Sequence, residues 1–410
     1  MKILMLSPFS PYPPNSGGRI RQWELIRYLG RRHNLTVVYN AFTEEEYGMQ
    51  KSIESSCAKA VAVKHPQKRL TPDLPDLQKL PWPARTFRTT EMLKTLKEVQ
   101  SFNFDAAIIE FIFMSHYHDL LPACTILHEH NIESNIFRQY ADLPNITEAK
   151  IFGLRKNRAF WKATWMLMAE FENKMWPSFP LRITVSEKDK QEMDSRCPFG
   201  RTIVIPNGVN THMVGLIPNA ASRKILFMGT MDYYPNTDAA SFLVKFVMPF
   251  IWRKEPGISV CIAGLHPPQS VMALASDSRV EVIANPDSMR EVASQCCLTV
   301  VPLRLGGGTR LKILASFAMG LPVVSSSLGC EGLPLMDGRH ILIRDDAESF
   351  ADAVLQVISD NILANTLRVN GRRLVEERYD WGTIFRHLEE ELLHLVEKNG
   401  ARGVNNNGNT

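Results

Sequence analysis

The chain has 410 residues, more than one hydrophobic core usually serves, so two domains of roughly 150–200 residues are expected. With 45% hydrophobic and 22% charged residues it reads as an ordinary globular protein, and a formal net charge of +4 is too mild to call for nucleic acid. The apolar opening Lys2–Leu6 stops at Ser7-Pro8-Phe9-Ser10-Pro11, far short of a secretory core or a membrane span, and seven scattered cysteines without a CxxC pair fit a reduced, cytosolic compartment.

In chain order, short β-branched runs alternate with helix-period runs. Strands are predicted at Lys2–Leu6, Leu35–Tyr39, Ala58–Val63, Ala106–Glu110, Thr125–His128 and Arg182–Ser186. Helices are predicted between several of them, at Arg19–Gly30, Thr89–Val99 and Lys156–Trp176. Such alternation argues for a parallel sheet covered on both faces. The strand Thr202–Ile205 ends in Pro206-Asn207-Gly208, and a polar stretch through Arg223 reads as the domain boundary. The alternation then restarts. Strands are predicted at Lys224–Gly229, Ser259–Ala263, Val280–Ala284, Leu298–Leu303, Pro322–Ser326 and His340–Ile343. Helices are predicted at Thr237–Trp252, Ser288–Ser294, Thr309–Met319, Ser349–Ser359 and Ile362–Glu377. The fold class is therefore α/β, with two doubly wound Rossmann-like domains in series. Ligands of such sheets sit beyond the carboxyl ends of the strands, and a cleft between two facing domains is the default site.

One stretch carries chemistry most clearly. Gly306-Gly307-Gly308 follows a strand, Thr309 is a plausible N-cap, and Arg310 and Lys312 head an apolar helix. Residues without a Cβ let the backbone approach a ligand, and the open N–H groups of a helix start, joined by two cations, make a cradle for a diphosphate. The plain alternative is a glycine-rich loop with a solvated Arg and Lys. Gly17-Gly18, between the first strand and the helix Arg19–Gly30, form a second anion-friendly helix start, or a turn needed only for packing. After the strand Thr125–His128 come Glu129, His130, Asn131 and Glu133, at a predicted sheet edge. His128-x-His130 looks like a metal pair, but no third and fourth ligand with sensible spacing appears, so no metal is expected.

Together these segments closely resemble retaining glycosyltransferases of the GT-B fold, family 4 type (glycosyl transferases group 1). The resemblance is carried by Val301-Pro302-Leu303, Gly306–Leu314, Met319–Val324 and Gly329–Leu333 in the second half. In the first half it is carried by Ser7-Pro8, Pro13–Arg19 and His130–Ser134. It continues through Ile205–Val209, Phe227-Met228-Gly229 with Tyr234-Pro235-Asn236, and Arg378–Trp381. The resemblance implies a GT-B architecture with two Rossmann-like domains facing a central cleft. Residues 1–205 would form the acceptor-side domain, 206–381 the donor domain, and a helix at about 382–398 would cross back to the first; 399–410 would be a disordered tail.

The resemblance also assigns roles. Arg310 and Lys312 would hold the donor diphosphate, helped by Gly308 and Thr309, with Gly229 and Asn236 lining the donor pocket, Gly17 and Gly18 approaching from the first domain, and Glu331 contributing. His130 would contact donor sugar or acceptor, with His128, Asn131 and Glu133 on the acceptor side; His128 competes with His130 for the role. His130, Arg310 and Lys312 would be the catalytic set. No metal or cofactor would be needed, and the donor would be UDP- or GDP-linked. One departure stands out. Family members carry two glutamates eight positions apart, where this chain has Gly307 and Ala315; Ser316 is a weak substitute. Losing one charged acceptor is worth about 1.5–3 kcal/mol of donor binding.

Basic and aromatic residues suggest an acceptor. Arg155, Lys156, Arg158 and Lys162 interleave with Phe152, Phe160, Trp161, Trp165 and Trp176, either as a membrane-facing helix or as core. Arg19, Arg21, Arg27, Arg31 and Arg32 cluster on or just past the first helix. The expected function is transfer of a sugar from a nucleotide diphosphate to a glycan or lipid-linked glycan, retaining and metal-independent, in surface polysaccharide synthesis. The expected location is cytoplasmic, with peripheral contact at the inner membrane surface and no nucleic acid partner. The alternatives are a non-catalytic GT-B homologue that binds sugar nucleotide or glycan, to which the missing glutamates point, and a GT-B sugar-nucleotide epimerase.

Overall fold

The computed structural model describes residues 1–66, 80–143, 150–151, 154–211, 214–217, 222–307 and 309–406. The chain divides into two compact units, one of Met1–Leu143, Arg158–Pro206 and Gly382–Thr410, the other of Pro144–Asn157 and Asn207–Trp381.

The first unit is built on β1 (Lys2–Ser7), β2 (Asn34–Ala41), β3 (Lys59–Lys64), β4 (Ala106–Glu110) and β5 (Thr125–His128). A short antiparallel ladder of β6 (Lys150–Ile151) and β7 (Leu154–Arg155) belongs to the second unit. The first sheet is completed by β8 (Leu181–Thr184) and β9 (Arg201–Val204), in the order β3-β2-β1-β4-β5-β8-β9 with every pair parallel. Its strands are apolar on both faces, as helix-covered parallel sheets require, and Ile3, Met5, Val37, Ile108, Ile126 and Ile183 are fully buried.

The second unit repeats the plan. Its sheet is β12-β11-β10-β13-β14-β15, all parallel, from β10 (Lys224–Met228), β11 (Ser259–Gly264), β12 (Val280–Ala284), β13 (Leu298–Val301), β14 (Val323–Ser325) and β15 (Leu342–Ile343). In both sheets the first strand has neighbours on opposite sides, β2 and β4 for β1, and β11 and β13 for β10. Strand order reverses there, and the loops leaving the carboxyl ends at such a switch point diverge and leave room for a ligand.

Most predicted elements stand within two residues of their expected ends. The helix expected at Thr237–Trp252 is instead two α-helical pieces, Tyr234–Phe242 and Met248–Lys254, joined by a π-turn at Leu243–Val247. Pro249 lacks an N–H and its ring crowds the preceding turn, so the ladder widens just before it. The break at Arg378–Trp381 is present: one helix ends at Arg378 and the next starts at Trp381. From Gly382 this last helix belongs to the first unit, where Phe385, Leu388 and Leu392 are fully buried. Its Glu389 accepts hydrogen bonds from the Tyr28 hydroxyl and a His33 ring nitrogen, both at 2.8 Å. The tail expected to be disordered from 399 continues this helix as far as Asn406. Residues 407–410 lie outside the described residues. Among the described residues no helix is long and apolar enough to cross a membrane.

Candidate functional site

In the second unit the switch-point loops carry the predicted donor residues. Gly229 follows β10, and a Cβ there would lie 2.8 Å from Asn236 Nδ2 and 3.0 Å from Lys312 Nζ. Glycine is therefore required by what stands beside it. The neighbouring Gly264, which sequence reasoning missed, is more constrained: its Cβ would lie 1.7 Å from the Gly229 carbonyl oxygen. Asn236 is buried, donates to the Thr230 carbonyl at 2.8 Å and accepts from Lys312 Nζ at 2.6 Å. Lys312 Nζ also lies 4.7 Å from the centre of the Phe227 ring. Its ammonium is pushed down to about 7 by loss of water and then by Arg310.

Arg310, buried, is the N-cap residue of the helix Leu311–Met319 and donates to the Gly307 carbonyl. Gly306, at φ +118°, turns the backbone back over the Arg310 guanidinium. This corrects the expected N-cap. Thr309 does not cap the helix; its hydroxyl accepts from Asn207 Nδ2 at 2.6 Å. Asn207, in the expected linker, thus ties down the glycine loop, a role sequence reasoning did not foresee. Gly308 lies outside the described residues. The helix has no acidic residue in its first turn, and Arg310 and Lys312 stand at its positive end. Glu331 follows the short turn Leu328–Cys330, half-buried. Ser316 does not substitute for a ribose-binding carboxylate: it is fully buried, donates to the Lys312 carbonyl at 2.8 Å and pairs with Thr299 at 3.0 Å.

A pH dependence follows from Lys312. Its pKa falls from 10.5 to about 7, so the unfolded chain holds this proton between those values and the folded one does not. This contribution to stability rises with pH through that window. A diphosphate needs the charged form. Anion affinity is therefore expected to be flat below pH 7 and to fall toward about tenfold per pH unit above it, with proton uptake on binding. Calorimetric titration of UDP in buffers of different ionisation enthalpy checks both signs.

In the first unit, Gly17 opens the helix Gly17–Gly30 after β1, and Gly18 stands one position further. A Cβ at Gly18 would lie 3.3 Å from Phe111 Cζ and 3.8 Å from His130 Nδ1, so the glycine loop and His130 meet. What organises them is Glu110, which ends β4 and was not foreseen. Its carboxylate receives His128 Nδ1 at 2.8 Å and His130 Nε2 at 2.6 Å, with the carboxylate and His128 wholly out of water. The buried Arg21 donates to His128 Nε2 at 2.7 Å and to the Ile205 and Pro206 carbonyls at 2.6 Å each.

This chain fixes the protons. Arg21 can only donate, so His128 Nε2 is the acceptor and His128 Nδ1 carries the hydrogen given to Glu110. Glu110 is held ionised: burial alone would raise it, but the two imidazoles outweigh burial and hold it well below the usual carboxylate range. Burial lowers His128 to about 4 and lowers His130 as well, so both rings are neutral at pH 7. His130 then gives Nε2–H to Glu110 and keeps a lone pair on Nδ1, beside Gly18. A neutral acceptor at that place can orient a sugar hydroxyl. His128 is corrected from acceptor-side contact to positioning residue, since both of its nitrogens are used.

The metal expectation is also refined. A third candidate ligand exists, and Glu110, His128 and His130 bring ligand atoms within 4.8 Å of one another. Their contacts are hydrogen-bond lengths, and the Arg21 guanidinium donates to His128 Nε2, so the three residues form a hydrogen-bonded chain. Asn131 donates to Glu133 at 3.3 Å, and Glu133 is buried at the start of the helix Glu133–Asp142, where burial raises it to about 8. No polar contact joins either residue to His130 among the contacts described.

Of the two basic clusters, the first is only partly a surface patch, with Arg31 and Arg32 exposed. Arg21 is internal, Arg19 pairs with Glu46, Arg27 with Glu24 at 3.2 Å, and Arg32 stands over Tyr28 and 3.6 Å from Glu389. The second divides. Trp161, Met168 and Trp176 are core, while Met166 is 59% and Leu167 44% exposed, beside exposed Lys162. Phe152 lies outside the described residues.

Residues 222–360 match the model of a family described as glycosyl transferases group 1. Over this stretch the chain is similar to glycosyl transferases group 1. A 44.6 kDa protein in the cps region of Klebsiella pneumoniae is 21% identical to it over 403 residues, 95% of this chain and 99% of the relative. Among solved structures, sucrose-phosphate synthase from Thermosynechococcus elongatus superposes with a TM-score of 0.72 at 15% identity, over 97% of this chain and 100% of that one. Alr3699/HepE of Anabaena in complex with UDP does so at 0.67 and 13%, over 96% and 100%. The chain has the GT-B fold, and the family match spans β10 to β15, in the unit that carries Arg310 and Lys312.

Proposed function

We propose that this glycosyltransferase moves a sugar from a UDP- or GDP-linked donor to a glycan or lipid-linked glycan acceptor, with retention and without a metal or cofactor, in surface polysaccharide synthesis. The observation that carries this reading is the Arg310–Lys312 cradle, two cations at an open helix N-terminus within the unit that matches the family. It can take over the leaving diphosphate's charge, the task a metal would otherwise perform. His130 Nδ1 would orient a hydroxyl of donor or acceptor. That HepE has been solved with UDP and with UDP-glucose, and that the Klebsiella relative lies in a cps region, support the donor type and the pathway. The exposed Met166 and Leu167 beside Lys162 support peripheral contact with the inner membrane surface from the cytoplasm.

A binding-only reading is favoured by one observation, the absence of carboxylates at Gly307 and Ala315 with Ser316 turned into the core. The first test is thermal unfolding against UDP, GDP, ADP and TDP sugars. A ligand at about 100 times its Kd adds about 2.7 kcal/mol to the folded state. Under the proposal one base class raises the midpoint. If none does, the cradle holds no nucleotide and the proposal fails.

A further inference from the structure

The stretch that leads into the second unit is bound to both ends of the helix that carries Arg310 and Lys312. At the helix start the buried Asn207 donates its Nδ2 to the Thr309 hydroxyl at 2.6 Å and to the Thr309 carbonyl at 3.4 Å. At the helix end Ile217 N donates to the Met319 carbonyl at 3.0 Å. Between them Arg372 donates to the Thr211 carbonyl at 3.2 Å, to the Val214 carbonyl at 2.8 Å and to the Ala318 carbonyl in the last helical turn. A cation there also suits the negative end of the helix. The helix Leu311–Met319 rises about 14 Å, so this stretch is a strap along its whole length.

A segment that only connected two units would need none of these bonds. The cradle does need them. Gly306, at φ +118°, Gly307 and Gly308 have no side chains, so Thr309 is the first side chain by which the loop before Arg310 can be gripped. Asn207 grips it.

The residue before the strap is gripped from the other side. Arg21, fully buried, donates to the Ile205 and Pro206 carbonyls at 2.6 Å each and to His128 Nε2 at 2.7 Å. His128 Nδ1 is in turn bound to Glu110 at 2.8 Å. Pro206 is the last residue of its segment in the first unit and Asn207 opens the second. Every hydrogen bond named lies within one unit, and the two sets meet at one covalent link. The Pro206 carbonyl and the Asn207 nitrogen share a single peptide plane, which resists twisting. A shift of the carbonyl that Arg21 holds therefore turns the plane that sets the direction of Asn207.

We propose that Asn207 is a positioning residue for the donor cradle and couples it to the buried Glu110–His128–Arg21 chain. A change in that chain moves the Pro206–Asn207 peptide, and through Thr309 it moves Arg310. The coupling is reciprocal, so nucleotide in the cradle shifts the chain by the same factor. The inference rests on the reading of the cradle as the nucleotide site.

Calorimetric titration of the full chain with UDP and with GDP tests it. Asn207→Ala and Thr309→Val are each expected to weaken the nucleotide about five- to tenfold, and the double variant no further, since both remove the same bond. Thr309→Ser keeps the hydroxyl and should bind as the wild type does. Glu110→Gln should change nucleotide affinity about fivefold or more in the wild type and leave it unchanged in Asn207→Ala. A residue that only stabilised the fold would lower the melting temperature, measured on the same samples, and leave the Glu110→Gln effect in place. Should Asn207→Ala not fold, Thr309→Val takes its place in the cycle. Unchanged nucleotide affinity in Asn207→Ala and Thr309→Val overturns the proposal. So does a Glu110→Gln effect that is equal in both backgrounds or absent from both. A wild type that binds neither nucleotide fails the cradle reading itself, which tells that failure apart from this one.

Discussion

Arg310→Ala is expected to lower kcat/KM for the nucleotide-sugar donor by about two orders of magnitude or more, with little change in folding. Arg310 heads the helix Leu311–Met319, where no side chain of the first turn supplies negative charge. Each charge-assisted bond to a diphosphate oxygen is worth about 1.5–3 kcal/mol, and a guanidinium fork makes two. The folded protein loses less. Arg310 stands beside Lys312, whose ammonium is already depressed to about 7 by burial and by that neighbour. Removing one of two like charges relieves repulsion, so the variant should melt no lower than the wild type and the Lys312 pKa should rise. Steady-state kinetics paired with thermal unfolding check the two halves. A variant that loses activity and stability together would show a structural arginine instead.

The second large effect concerns Glu110. Glu110→Ala is expected to destabilise the first unit by about 3–5 kcal/mol, because it leaves the buried Arg21 charge without its counter-charge. Glu110→Gln separates folding from function. His128 Nε2 must accept from Arg21, so its Nδ1 keeps the hydrogen and the Gln carbonyl must face it. The Gln amide then points its N–H at His130 Nε2 and forces the hydrogen onto His130 Nδ1, the atom beside Gly18. The lone pair becomes a donor. Activity should fall about tenfold or more, while stability falls less than in Glu110→Ala, because the counter-charge is lost but the hydrogen bonds to both rings are kept. Nitrogen-15 shifts of the His130 ring report the tautomer directly. An unchanged tautomer with lost activity would contradict the proton chain. Acid sensitivity follows the same network. His128 falls from 6.5 to about 4, so its contribution to stability rises with pH between those values and is constant above them.

Much of this was legible in the sequence because parallel strands buried on both faces leave a strong mark. Ala106–Glu110 and Thr125–His128 were read to the residue. Arg310 and Lys312 were read from a glycine run before a helix start and Gly229 and Asn236 by resemblance, and the structure brings them together around one ammonium. What escaped depends on contacts between distant segments. Glu110 looked like the end of a strand, yet a carboxylate closing an otherwise apolar buried run was a signal that it has a partner. Arg21 looked like one of five surface arginines, though only it lies wholly inside. Thr309 looked like a cap because it precedes a helix; its partner, Asn207, is 102 residues away.

The central claim is that the cradle on the second unit serves catalysis, not storage of a nucleotide. The most direct measurement is release of free nucleotide from its sugar donor, with and without a lipid-diphosphate-linked saccharide, together with the mass of the acceptor afterwards. Nucleotide release should depend on the acceptor, the acceptor should gain the mass of one sugar, and both should be lost in Arg310→Ala. A donor that binds with Arg310 intact, yet is never consumed with any such acceptor, would contradict it and leave the binding-only reading in place.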